Sequence, residues 1–229
     1  MKPGPAIAVV FDLDGTLVDS RLDLARAVNL VREELGLAPL SIESILGMVG
    51  QGARNLVRRA LGGSPPEDLL DRALALFLER YEPICTDETA PYPGIPELLE
   101  SEFRRRPLAV LTNKPERPAR KILGHFGWLG RFEAVICGDS LPLRKPDPGG
   151  LLEIGRRLHV EPARLLMIGD SEIDAATAGA AGASFLFAGW GFAGPEERLR
   201  LARASRADRP DQVAERLARL EAGPSPLAQ

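Results

Sequence analysis

The sequence predicts an α/β fold, a parallel sheet flanked by helices, with a small all-helical domain inserted after the first strand. Three observations carry this. Five short apolar runs, Ile7–Phe11, Leu108–Leu111, Ala134–Cys137, Leu165–Ile168 and Ser184–Ala188, lack strict polar alternation, as strands covered on both faces do. Helix-like stretches lie between them: Pro115–Phe126 opens on proline, Gly149–Leu158 has apolar residues at helical spacing, and Ile173–Ala181 is alanine-rich. Strand alternating with helix indicates right-handed parallel crossovers. From Asp19 to about Pro91, finally, the pattern is helical only.

Within that interval Leu22, Ala25, Val28, Val31 and Leu35 form one helical stripe, and Leu69, Ala73, Leu76, Phe77 and Tyr81 another. Pro and Gly mark its exits, so the expected hinges are Val18–Arg21 and Thr89–Gly94. The expected division is a core of residues 1–18 and 90–222, a helical domain of residues 19–89, and a frayed tail at 223–229, which is small, polar or Pro-containing.

The chain has 229 residues, enough to bury a substantial core. Its formal net charge is -3, which argues against a nucleic-acid partner, since that needs a basic face. Arg104–Arg106 and the arginines scattered from Arg198 to Arg219 among acids read as solvated helix faces. Cys85 and Cys137 are far apart and belong to no ligand pattern, as expected of a reduced cytoplasmic protein. The apolar run near the N-terminus is too short for a signal-peptide core, and no stretch approaches a membrane span. The expected protein is cytoplasmic, a monomer or homodimer, with no membrane partner.

Polar clusters follow the apolar runs. Asp12-Leu13-Asp14-Gly15-Thr16 follows the first and Thr112-Asn113-Lys114 the second. Gly138-Asp139-Ser140 and a loop with Lys145-Pro146 follow the third; Gly169-Asp170-Ser171, with Asp174 one helical turn on, follows the fourth. Ligands of open α/β sheets bind at the carboxyl ends of the strands, so these clusters converge on one crevice. Each alone has a structural reading: Thr112-Asn113 as a helix N-cap, Lys145-Pro146 as a rigid turn, Asp170-Ser171 as a capped strand-to-helix turn. Their order after successive strands favours chemistry.

Asp12, Asp14, Asp170 and Asp174 gathered together would repel unless their pKa values rose or a cation sat among them. Hard carboxylate oxygens without His or Cys favour Mg²⁺. A carboxylate nucleophile facing an anionic phosphate ester needs such an ion. Lys145, the Thr112 hydroxyl and Asn113 are candidates to hold phosphoryl oxygens. Asp14 is placed to act as acid and base, and Gly15 permits the tight turn that brings backbone to the phosphate.

At these residues the sequence resembles the haloacid dehalogenase superfamily of phosphohydrolases. The resemblance implies a Rossmann-like core with a helical cap, Asp12 as nucleophile, Asp14 as acid/base, Thr112 and Lys145 as phosphate-binding residues, and Asp170, supported by Asp174, as Mg²⁺ ligand. The Asp14 carbonyl is implied as a further ligand. Dehalogenating relatives lack an acid at the position of Asp14, which argues against a C–halogen substrate. A closer resemblance is to phosphoglycolate phosphatases, carried by Asp19–Ala25, Val49–Arg54 and Gly138–Pro142. It implies hydrolysis of a small phosphorylated metabolite, first 2-phosphoglycolate, with Arg54 of the cap meeting the substrate carboxylate. A phosphosugar mutase, a pyrophosphatase or other small-ester phosphatase, and a non-catalytic binding relative are the alternatives. Trp190-Gly191-Phe192 departs from the family pattern, and no specificity is read into it.

Overall fold

The computed structural model describes residues 7–222; the expected tail at 223–229 lies outside them. In chain order the strands are β1 (Ala8–Phe11), β2 (Val18–Asp19), β3 (Ala90–Pro91), β4 (Leu108–Leu111), β5 (Ala134–Ile136), β6 (Leu165–Gly169), β7 (Ser184–Ala188) and β8 (Ser205–Ala207). Among the described residues, six of them form one parallel sheet in the order β5-β4-β1-β6-β7-β8. The chain leaves β1 for β4 and β5, then returns to β6 on the other side of β1. This reversal opens a crevice beyond the carboxyl ends of β4, β1 and β6.

Alternation along β1 explains its apolar sequence. Val9 and Phe11 belong to one apolar cluster, Ala8 and Val10 to another, because successive side chains leave opposite faces of a strand. The first cluster includes residues of α5 (Ile95–Glu102), α6 (Glu116–His125) and α10 (Asp211–Ala222). The second packs on α7 (Gly149–Leu158) and α8 (Glu172–Ala181). Both faces are therefore covered. Strand β8 is absent from the sequence expectation because its signal is one residue deep: Ala207 is buried, while Ser205 and Arg206 are exposed at the sheet edge.

Between β2 and β3 the chain runs through α1 (Arg21–Glu34), α2 (Ile42–Leu46), α3 (Ala53–Ala60) and α4 (Glu67–Ile84). Strands β2 and β3 pair antiparallel, Val18 with Pro91 and Asp19 with Ala90. The expected stripe of α1 faces inward at Ala25, Val28 and Val31, with Leu35 partly buried, but not at Leu22. Leu22 is exposed, and Leu24, Ala25, Ala27, Val28 and Val31 are buried. On α4 it is Leu70, rather than Leu69, that is buried with Ala73, Phe77 and Tyr81.

A polar anchor sets the rotation of α1. Asp23 is fully buried and accepts hydrogen bonds from the Thr89 N–H at 2.8 Å, the Thr89 hydroxyl at 2.7 Å and the Glu88 N–H at 3.1 Å. Residues advance 100° around a helix, so turning Asp23 inward leaves Leu22 in solvent. The same carboxylate ties the first turn of the insertion to its exit. Asp23→Ala, which strands those donors, is expected to cost about 2–4 kcal/mol of stability, seen as a lower urea midpoint with an unchanged slope. A loss below about 0.5 kcal/mol, the range of ordinary surface changes, would show that the anchor is not what joins the two ends.

Candidate active site

Four strand ends supply the site. Asp12 directly follows β1, Thr112 follows β4, Lys145 lies on the loop between β5 and α7, and Asp170 follows β6. Asp174 sits in the first turn of α8, where it forms a capping box: its carboxylate accepts from the N–H and hydroxyl of Ser171, and the Ser171 oxygen accepts from its N–H. The Lys145 ammonium lies 2.9 Å from Asp12 Oδ1 and 2.6 Å from Asp174 Oδ1. Asp12 Oδ1 also accepts the Leu13 N–H at 2.7 Å. One carboxylate oxygen from each of Asp12, Asp170 and Asp174 falls within 4.8 Å of the others, and all three residues are buried.

The electrostatics are unbalanced. Three carboxylates face one ammonium, leaving two formal negative charges. Burial pushes Asp12 up to about 7 despite the adjacent Lys145. Burial, then the charges of Asp174 and Asp12, raises Asp170 well above the usual carboxylate range. Burial alone would lower Lys145, but Asp12 and Asp174 outweigh it and keep it charged. An all-oxygen donor set with surplus negative charge fits a hard divalent cation.

Glycines make room for this crowding. Gly15 has φ +81°, and a Cβ there would overlap the Asp170 carboxylate. A Cβ on Gly191 would strike Asp170 and the Gly15 carbonyl. The short turn after β1 therefore needs glycine for both its backbone conformation and its lack of a side chain.

Asp14 lies apart from that cluster. Ser20 Oγ donates to its Oδ1 at 2.5 Å, and Lys114 Nζ lies 2.9 and 3.1 Å from its two oxygens. Lys114 also donates to the buried Tyr81 hydroxyl of α4 at 2.5 Å. The Thr112 hydroxyl accepts the Lys114 N–H at 3.1 Å. Asn113 spends its amide N–H groups on the carbonyls of Gly50, at 2.8 Å, and Lys145, at 2.9 Å. Its side chain thus ties the insertion to the core, and a ligand would meet Asn113 through its backbone N–H rather than its side-chain amide.

A cleft of about 510 Å³ opens beside these groups, lined by Asp12, Asp14, Thr112 and Asp170 and, from the insertion, by Gly50 and Arg59. Arg54 is not brought to it. Its guanidinium is bound by Asp71, at 2.6 Å, and by Glu67 of α4. Arg59, which the sequence reading passed over, donates to Gln51 Oε1 at 2.8 Å and has no ion pair among the described residues. Lys114, Tyr81 and Ser20 were also missed as site residues. Lys114 stands in the quoted Thr-Asn-Lys string, but nothing in its spacing shows that it turns back to Asp14. Tyr81 reads as one more member of an apolar stripe. His125 and His159 end α6 and α7 and do not line the cleft.

The parallel sheet carries this acidic, lysine-braced cleft at its switch point, where α/β enzymes bind their ligands. A family model described as haloacid dehalogenase-like hydrolase matches residues 8–182, and the chain belongs to that family. It is 41% identical over 198 residues to a phosphoglycolate phosphatase of Nitrosospira multiformis, covering 83% of this chain and 86% of the relative. It is 44% identical over 186 residues to one of Rhodobacter capsulatus, with 79% and 83% covered. Among solved structures it is similar to one from Haemophilus somnus described as a predicted phosphoglycolate phosphatase, with TM-score 0.84, 28% identity, and 92% and 97% of the two chains covered.

The raised acids have a thermodynamic consequence. In metal-free protein, folded Asp12 holds a proton up to about pH 7 that the unfolded chain, titrating near 3.8, has released. Metal-free stability is therefore expected to fall as pH rises between about 4 and 7. Asp170→Asn removes part of the repulsion and is expected to raise the metal-free Tm at pH 7.5, by about 2–4 °C for each kcal/mol relieved. A lower Tm would show that Asp170 is not under electrostatic strain.

Proposed function

We propose that the protein is a Mg²⁺-dependent phosphatase acting on a small phosphate monoester through an aspartyl-phosphate on Asp12, with 2-phosphoglycolate as substrate. The observation that carries this reading is the buried cluster of Asp12, Asp170 and Asp174 braced by Lys145 at the sheet's switch point. The names of the relatives support the substrate. Asp12, Asp170 and the Asp14 carbonyl would hold Mg²⁺, with Asp174 supporting them by fixing Lys145. When bound, the ion would neutralise charge between nucleophile and phosphoryl group.

The chain's own residues then do the following. An Asp12 carboxylate oxygen attacks phosphorus, and the ester oxygen leaves with a proton from Asp14. Water attacks the aspartyl-phosphate, Asp14 takes its proton, and phosphate departs with Asp12 restored. Lys145 and the Thr112 hydroxyl steady the phosphoryl oxygens. Asp14 starts in the grip of Ser20 and Lys114, so it exchanges those partners for the ester. Among the described residues, 19–89 act as a cap over a core of residues 7–18 and 90–222, excluding bulk water. Contacts from Asn113 to Gly50 and from Lys114 to Tyr81 support this apposition. Two free, buried cysteines fit a cytoplasmic enzyme; among the described residues no helix is long and apolar enough to cross a membrane.

Substrate selection falls to Arg59 in this reading. It is the insertion's cleft-lining cation, and neutral groups alone hold it, whereas Arg54 is already neutralised. A substrate carboxylate would complete its ion pairing.

Mg²⁺-stimulated release of phosphate from p-nitrophenyl phosphate, lost by at least about a thousandfold in a folded Asp12→Asn, is the expected result for a nucleophile. Full activity in that variant would refute the mechanism. Arg59→Met is expected to raise KM for 2-phosphoglycolate about tenfold or more, the scale of a lost charge-assisted hydrogen bond, and to leave ethyl phosphate unaffected. Arg54→Met should change neither. Equal losses on both esters would remove Arg59 from substrate recognition.

A further inference from the structure

The loop after β7 is held by one side chain in an unusual way. Arg198, in α9 (Pro195–Arg200), donates Nε to the Ala193 carbonyl at 2.8 Å, Nη2 to the Gly191 carbonyl at 3.1 Å, and Nη1 to the Gly189 carbonyl. Three arms of one guanidinium thus grip three carbonyls of residues 189–193. Arg198 makes no ion pair among the described residues, so the role of its charge is to strengthen these bonds.

What the loop touches gives the grip its meaning. The Phe192 N–H donates to Asp170 Oδ2 at 2.6 Å. Gly191 packs so closely that a Cβ would overlap both Asp170 and the Gly15 carbonyl. The Trp190 indole N–H donates to the Thr16 carbonyl at 3.0 Å, tying the loop to the turn that carries Asp12 and Asp14. The Gly189 N–H donates to Ala207 of β8 at 2.8 Å, fixing the loop's start to the sheet. Asp170 is a buried carboxylate amid like charges and would turn away from them if released.

We propose that Arg198 is a positioning residue for the cation site: by fixing the shape of residues 189–193 it keeps the Phe192 N–H on Asp170 and keeps Asp170 aimed at Asp12. This rests on the reading of Asp12 and Asp170 as Mg²⁺ ligands. Arg198 touches neither substrate nor the reacting atoms, and its effect passes through one backbone donor.

The test is a Mg²⁺ titration of the full chain, read by calorimetry and by thermal shift, for wild type, Arg198→Met and Arg198→Lys. Lysine keeps the charge but offers a single ammonium in place of the planar fork, so it keeps the fold if the methionine variant loses it. Both variants are expected to need about tenfold or more Mg²⁺ for half-saturation, the usual scale for a lost partner of a ligand. Their kcat on p-nitrophenyl phosphate at saturating Mg²⁺ should stay within about threefold of wild type, since the reacting groups are intact. A lower metal-free Tm with unchanged half-saturation would make Arg198 a purely structural residue and overturn the proposal. Absence of Mg²⁺ binding in wild type would instead overturn the cation reading, and this inference with it.

Discussion

Crowded negative charge at one point of the sheet governs much of this structure. Asp12, Asp170 and Asp174 are buried within 4.8 Å of one another around the single ammonium of Lys145. Two unit charges about 4 Å apart interact by about 4 kcal/mol at an effective dielectric of 20. A typical hydrogen bond returns only about 0.5–1.5 kcal/mol net, so the Phe192 N–H on Asp170 cannot offset that repulsion by itself. The burden is shared by the lysine, by proton uptake on the raised acids and, in the functional reading, by a divalent ion.

Holding the cluster together requires parts that contribute no charge. Gly15 and Gly191 let two backbone turns close on Asp170 where any Cβ would collide. Asp174 is kept in place by its capping box with Ser171, which leaves its other oxygen for Lys145. Trp190, which departs from the family pattern in the sequence, bonds the last loop to the first turn. The acids are thus presented by a frame of backbone donors and close glycine contacts.

The helical insertion meets the core through several polar contacts, some of them beside the acids. Asn113 donates to the Gly50 carbonyl, and Lys114 joins Asp14 of the core to Tyr81 of α4. The acid/base candidate is therefore in electrostatic contact with the insertion, and the nucleophile candidate is not. Arg59 adds a cation on the same side of the cleft. Chemistry gathers on the core, and the features that could distinguish one ester from another gather on the helices.

Sequence by itself determined the sheet's main strands, the helical insertion and the order of the acidic clusters. These depend on apolar runs and on short motifs whose parts are neighbours in the chain. It did not reveal β8, whose edge position leaves one buried residue. Nor did it place Leu22 in solvent, which depends on donors more than sixty residues from Asp23. Tertiary structure alone decided that Arg54 is neutralised while Arg59 reaches the cleft, that Lys114 turns to Asp14, and that Arg198 braces the loop on Asp170. The physical reason is range. Periodicity and turn chemistry act over a few residues, whereas the partner of a charged side chain is whatever the folded chain places within about 3 Å.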